Sequence, residues 1–65
     1  MLTPVLDSAS PMPLYEQIYR HIRREIESGS LPAGSRLPSK RALAAHLEVS
    51  VVTVEGAYGQ LLAEG

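Results

Sequence analysis

The chain has no cysteine, which excludes a disulfide framework and any metal site built on thiolates. It also lacks an apolar run long enough to cross a bilayer, and its N-terminus lacks the pattern of a secretory signal. There is no glycine-rich phosphate loop and no placed nucleophile–base pair, and 65 residues leave no room for a sizeable substrate pocket. We therefore expect a cytoplasmic domain that is not an enzyme and has no membrane partner.

An excess of positive charge is also missing, because the formal net charge at pH 7 is -1. Nucleic-acid-binding domains are usually basic, so any non-specific binding to DNA should be weak and strongly salt-dependent. The charge is unevenly placed, however: Arg36, Lys40, Arg41 and His46 cluster against a single acidic residue, Glu48. A local basic patch of this kind can bind DNA, and a second copy of the domain would strengthen the binding.

The first helical pattern covers residues 13–28. Its apolar residues recur at a spacing of four, and they are Leu14, Ile18, Ile22 and Ile26. Together with the neighbouring Tyr15 and Tyr19, this stripe is expected to face the core. Gly29 suits the left-handed conformation that ends many helices. Residues 1–12 show no helical period and contain two prolines, which favours a flexible N-terminal arm.

Two more helices are predicted, over residues 39–47 and 50–64, with a short turn between them. Ser39 and Ser50 are the expected N-caps, and Glu48 stands in the turn, where a left-handed residue would be strained. The inward stripe of the last helix comprises Val54, Ala57, Tyr58, Leu61 and Leu62. No segment alternates with period two, so the sequence predicts a mainly all-α, three-helix domain with a helix-turn-helix, spanning residues 13–65.

The first turn of the last helix is left facing outward. Val51, Val52 and Glu55 point away from the predicted core, with Ser50 and Thr53 at the rim. In a helix-turn-helix this end enters the major groove of double-stranded DNA. The predicted DNA-binding residues are Arg36, Ser39, Lys40, Arg41, Ser50, Val51, Val52 and Thr53.

The sequence resembles the GntR family of bacterial transcription regulators, whose N-terminal domain is a winged helix-turn-helix. The resemblance rests on PLYEQI at 13–18, IESGSL at 26–31, GSRLPSKR at 34–41, LA at 43–44, Ser50 with Thr53-Val54, AYGQL at 57–61 and AEG at 63–65. The Leu-Asp pair at 6–7 and the later Thr-Val-Glu and Ala-Tyr words are most like the MocR subfamily. The YtrA subfamily shares several of these words and is the alternative.

The resemblance implies a wing, a two-stranded hairpin, just after Gly65, so we expect a domain truncated before its wing. Arg36-Leu37 would then be an unpaired edge. The resemblance also implies a homodimer in the full-length protein. A MocR-like regulator carries a C-terminal, aminotransferase-like domain that binds pyridoxal phosphate. Within these residues we expect no cofactor and no metal, because the two histidines lie far apart with no ligand pattern beside them.

The resemblance also implies roles for single residues. Arg41 matches an arginine that reaches DNA in the family. Independently of the resemblance, the charges of Arg36 and Lys40 favour contacts with phosphate, with ordinary surface charge as the alternative. Val51 stands where many members have arginine; valine cannot read guanine but could pack on a thymine methyl, which favours A·T at that position. Glu55 would repel phosphate, so we expect it to accept a hydrogen bond from a cytosine or to point sideways.

A different class of function also fits the sequence. Near-neutral charge and the valines at 51 and 52 are compatible with a three-helix module that binds protein through an exposed helix face or the Arg36-Leu37 edge.

Gly56 and Gly59 are costly inside a helix, by roughly 1 kcal/mol each relative to alanine. They could permit close approach of DNA or of the first helix.

Overall fold

The chain forms three α-helices in a computed structural model that describes residues 4–32, 34 and 36–64. Helix α1 spans Leu14–Ser28, α2 spans Lys40–Leu47 and α3 spans Val51–Glu64. The described residues contain no strand, and the predicted all-α, three-helix class is confirmed. The predicted helices end at the observed residues and begin one residue early, because each included the residue that precedes the first helical turn.

The ends of the first two helices follow from their local sequence. Gly29 adopts a φ of 84°, and its N–H donates a hydrogen bond to the carbonyl of Ile26 over 3.2 Å. This left-handed position favours glycine because a Cβ would clash there. At the start of α2, the Ser39 hydroxyl accepts a hydrogen bond from the Ala42 N–H over 3.1 Å. Both predicted caps are therefore present.

The turn between α2 and α3 depends on a left-handed glutamate. Glu48 has φ 58° and ψ 45°, and it is the one non-glycine residue with positive φ in the described part of the chain. This conformation lets the Val49 N–H donate to the carbonyl of Ala44 over 3.0 Å, which closes the end of α2. Val49 then turns inward and packs against the core.

The hydrophobic core takes side chains from all three helices. Its buried members are Ile18, Tyr19 and Ile22 of α1, Leu43 and Ala44 of α2, and Val54 and Ala57 of α3. Helix α3 packs against both α1 and α2. Burying one aliphatic side chain of this size contributes roughly 1.5–3 kcal/mol, so this small cluster holds the orientation of α3.

Three residues assigned to the core from the sequence are more exposed than predicted. Leu62 is 82% exposed, Ile26 is 43% exposed and Tyr15 is 38% exposed. An α-helix has 3.6 residues per turn, so a spacing of four rotates by about 40° at each step, and the ends of a stripe leave the buried face. By the same geometry Leu62 lies about 80° around α3 from Val54.

The N-terminal arm contacts α1. The side-chain amide of Gln17 donates to the carbonyls of Asp7 (3.0 Å) and Met12 (2.7 Å), and its oxygen accepts from the Asp7 N–H (2.9 Å). Leu6 packs against the core. The sequence did not predict these contacts, and the flexibility of the arm stays a prediction.

Candidate nucleic-acid interface

The first turn of α3 is fixed by two hydroxyl groups. The Thr53 N–H donates to the Ser50 hydroxyl over 3.1 Å, which caps the helix as predicted. The two side-chain oxygens of Ser50 and Thr53 are 2.8 Å apart. One of the two hydroxyl hydrogens must lie between these oxygens, so the other remains to donate outward. This end of α3 can therefore offer a hydroxyl donor to a phosphate or a base edge.

Three cationic side chains lie at and before the start of α2. Arg36, Lys40 and Arg41 are all exposed. The Lys40 ammonium is 3.1 Å from a carboxylate oxygen of Glu55 on α3, so this contact joins the two helices. Arg36 and Arg41 make no hydrogen bond or ion pair with the described residues. Two guanidinium groups are therefore available for an anion, while the ammonium is shared with Glu55.

The two valines at the start of α3 differ in exposure. Val52 is 74% exposed and points away from the core, as predicted. Val51 is half-buried and packs against the core, so its predicted outward position is wrong in part. The reason is its spacing: Val51 lies three residues before Val54, one turn away on the adjoining face of the helix. Val52 is therefore the main apolar side chain of this surface.

A tyrosine fixes α3 against the segment that leads into α2. The Tyr58 hydroxyl donates to the Pro38 carbonyl over 2.7 Å, and the half-buried ring packs against the core. Burial raises the pKa of Tyr58, because the ionised phenolate would lose its hydration. This hydrogen bond satisfies the Pro38 carbonyl, just before Ser39, and links the segment that begins α2 to α3.

Two further contacts hold α3 against α1. A Cβ placed on Gly56 would lie 3.3 Å from the Tyr15 Cβ, so glycine at this position permits the close approach of the two helices. At the other end, the Tyr19 hydroxyl donates to the Glu64 carboxylate and accepts a hydrogen bond from Arg23 over 2.7 Å. The hydrogen bond to Glu64 raises the pKa of Tyr19, and burial adds to this. Gly59 has no atom within 4 Å of such a Cβ and makes no comparable contact.

The structure places the predicted DNA-binding residues on the accessible surface. Six of them are exposed, namely Arg36, Ser39, Lys40, Arg41, Ser50 and Val52, while Val51 and Thr53 are half-buried. Sequence reasoning missed the pairing of Lys40 with Glu55 and the hydrogen bond from Tyr58 to Pro38. The sequence carried no signal for either, because the partners are 15 and 20 residues apart and belong to different segments.

Residues 14–65 match the family described as "Bacterial regulatory proteins, gntR family". The chain belongs to the GntR family. It is 52% identical over 64 residues to the HTH-type transcriptional regulator YhdI of Bacillus subtilis. This match covers 98% of this chain and 14% of that protein. It is 46% identical over 61 residues to the probable rhizopine catabolism regulatory protein MocR of Rhizobium meliloti, covering 94% of this chain and 12% of that protein.

A solved structure agrees with these sequence matches. YtrA from Sulfolobus acidocaldarius, a GntR-family transcription factor, superposes with a TM-score of 0.90 at 43% sequence identity. The match covers 94% of this chain and 65% of that chain. The chain is therefore a helix-turn-helix DNA-binding domain of the kind found in GntR-family transcriptional regulators. Because both MocR and YtrA are among its relatives, the MocR-like assignment stays a prediction.

The chain spans only a small part of two of these regulators, 14% of YhdI and 12% of MocR. YhdI and MocR are therefore much longer than the domain described. Among the helices of the described residues, none combines the length and apolar character that a membrane span requires. No group of three potential metal-ligating side chains occurs within these residues.

Proposed function

We propose that this chain binds double-stranded DNA sequence-specifically, with the first turn of α3 in the major groove. The observation that carries the proposal is the contact of Lys40 with Glu55, in which the cationic start of α2 lies beside the exposed start of α3. A helix-turn-helix contacts the DNA backbone with the first of these helices and reads base edges with the second.

Each proposed contact has a chemical basis. Arg41 and Arg36 supply guanidinium groups that have no hydrogen-bond or ion-pair partner among the described residues. A guanidinium binds phosphate through several N–H donors. Lys40 contacts phosphate with the ammonium N–H groups that Glu55 does not use. The Ser39 hydroxyl accepts from the helix backbone, which leaves its own hydrogen to donate to a phosphate. These contacts position the domain on the duplex but carry no sequence information themselves.

The residues of α3 supply the base contacts. Val52 presents its exposed methyl groups to a thymine methyl, with Val51 bordering this contact. One hydroxyl of the Ser50–Thr53 pair donates to a phosphate or to a base edge. An apolar contact with thymine favours an A·T pair opposite Val52.

We further propose that the full-length protein is a cytoplasmic transcription regulator that acts as a homodimer. The net charge of -1 supports the dimer, because one nearly neutral domain gains little from non-specific attraction to phosphate. Two linked domains on a repeated operator would combine their affinities. We propose no enzymatic activity for these residues; if the protein is MocR-like, pyridoxal phosphate belongs to a separate C-terminal domain.

The test is a fluorescence anisotropy titration of the full-length protein against the DNA upstream of its own operon, at two salt concentrations. We expect specific binding that weakens with salt, and a loss of about tenfold in affinity in Arg41→Ala, because a hydrogen bond to a charged group contributes roughly 1.5–3 kcal/mol. Arg24→Ala is the matched control, since Arg24 is an exposed arginine of α1 outside the proposed interface. Equal losses in the two variants would contradict the proposed interface.

An absence of binding by the full-length protein would favour the other class of function, a three-helix module that binds protein. The salt dependence of any binding to DNA is a second criterion. Contacts to phosphate release counterions, so the logarithm of the affinity falls linearly with the logarithm of the salt concentration.

A further inference from the structure

The ion pair between α2 and α3 lies inside the proposed interface. The Lys40 ammonium is 3.1 Å from Oε2 of Glu55, and the two side chains are 49% and 48% exposed. Oε1 of Glu55 has no hydrogen-bond partner among the described residues. The pair therefore presents a free carboxylate oxygen, next to a positive charge, to whatever faces α3.

Glu55 lies on the same face of α3 as the proposed groove contact. Glu55 lies three residues after Val52, and residues at this spacing are neighbours on one face of a helix. Val52 is 74% exposed, whereas Val54 and Ala57 are buried on the opposite face. A duplex that contacts Val52 would therefore also meet Glu55.

Few base edges in the major groove can donate a hydrogen bond to a carboxylate. Guanine and thymine present acceptor oxygens there, which repel a carboxylate. Adenine presents an amino donor, but an acceptor nitrogen lies next to it. Cytosine presents its N4 amino group as a donor alone. A bare carboxylate would also be repelled by the phosphates, but the Lys40 ammonium offsets this charge locally.

We infer that Glu55 is a specificity-determining residue that accepts a hydrogen bond from the N4 amino group of a cytosine. Lys40 is the positioning residue, because its contact with Oε2 holds the carboxylate and leaves Oε1 for the base. This inference rests on the proposed function. An ammonium has three N–H donors, so Lys40 can hold Glu55 and contact a phosphate at the same time.

The test begins with selection of binding sites from random duplex DNA by the full-length protein, followed by anisotropy titrations. The probes are the selected site and versions in which each C·G pair is changed to T·A. At one position the unaltered chain should prefer cytosine by about five- to tenfold. Glu55→Ala should reduce that preference to within about twofold, while it raises the affinity for unrelated DNA by removing a negative charge.

Glu27→Ala is the matched control for charge. Glu27 is also an exposed glutamate paired with a cation, the Arg23 guanidinium at 3.3 Å, but it lies on α1. This variant should keep the cytosine preference. Retention of the full preference in Glu55→Ala would overturn the inference, even if its affinity for unrelated DNA rises.

Lys40 has its own pair of variants. Lys40→Met should lose both the affinity for DNA and the cytosine preference. Lys40→Arg should keep the preference, because an arginine can still form the ion pair with Glu55. A cytosine preference that persists in Lys40→Met would refute the positioning role.

Failure of the inference is distinguishable from failure of the proposed function. A full-length protein that selects no site contradicts the proposed function and the inference with it. A selected site that depends on Arg41 but not on Glu55 contradicts the inference alone.

Discussion

Replacing Glu48 by glycine should stabilise the domain. Glu48 holds φ 58° and ψ 45° in the turn between α2 and α3, and its side chain is exposed. A left-handed conformation destabilises a residue with a Cβ by roughly 1–2 kcal/mol, and glycine lacks this penalty. Glycine also increases the conformational entropy of the unfolded chain, which lowers the stability by roughly 0.5–1 kcal/mol. The expected net gain is about 0.5–1 kcal/mol.

The gain is measurable by thermal unfolding followed by circular dichroism. For a domain of this size, 1 kcal/mol shifts the melting temperature by roughly 4–8 °C, so Glu48→Gly should melt about 2–8 °C higher. Glu48→Gln is the matched control, since it removes the charge but keeps a Cβ in the left-handed position. It should melt close to the original chain, and Glu48→Val should melt lower because a β-branched side chain tolerates this region least.

The comparison of the glycine and glutamine variants decides the argument. If both raise the melting temperature equally, the effect is electrostatic and the backbone argument is wrong. If Glu48→Gly melts at or below the original chain, the left-handed turn is not strained in solution.

Two further predictions concern the packing of α3. Tyr58→Phe should lower the free energy of unfolding by about 1–2 kcal/mol in a urea titration, because the Pro38 carbonyl loses its donor at 2.7 Å; an unchanged midpoint would contradict this. Gly59→Ala should stabilise α3 by about 1 kcal/mol, because its Cβ meets open space. Gly56→Ala should gain clearly less, since its Cβ would lie 3.3 Å from Tyr15; equal gains at both glycines would refute the close approach of α1 and α3.

The helix boundaries were predictable from the sequence. Ser39 and Ser50 cap their helices through N–H groups three residues away, and Gly29 closes α1 through a carbonyl three residues back. These interactions lie within one turn of the chain, so residue type and spacing are enough to predict them. The sequence also indicated that Glu48 would be strained if it adopted a left-handed conformation, and the structure shows this conformation.

The exposure of individual side chains was predicted less well. Periodicity identified the apolar stripe of each helix, yet Ile26 and Leu62 at the ends of those stripes are exposed and Val51 is half-buried. A repeat in the sequence gives an angle around one helix. It does not say where along that helix a neighbour begins or ends.

The sequence by itself determined the three helices, their caps and the family to which the chain belongs. Only the tertiary structure decided that Lys40 holds Glu55, that Tyr58 holds the Pro38 carbonyl, and that Gly56 rather than Gly59 admits a neighbouring helix. Hydrogen bonds within a turn follow from local backbone geometry. Contacts between helices depend on the angle and distance at which the buried faces pack, which no local pattern specifies.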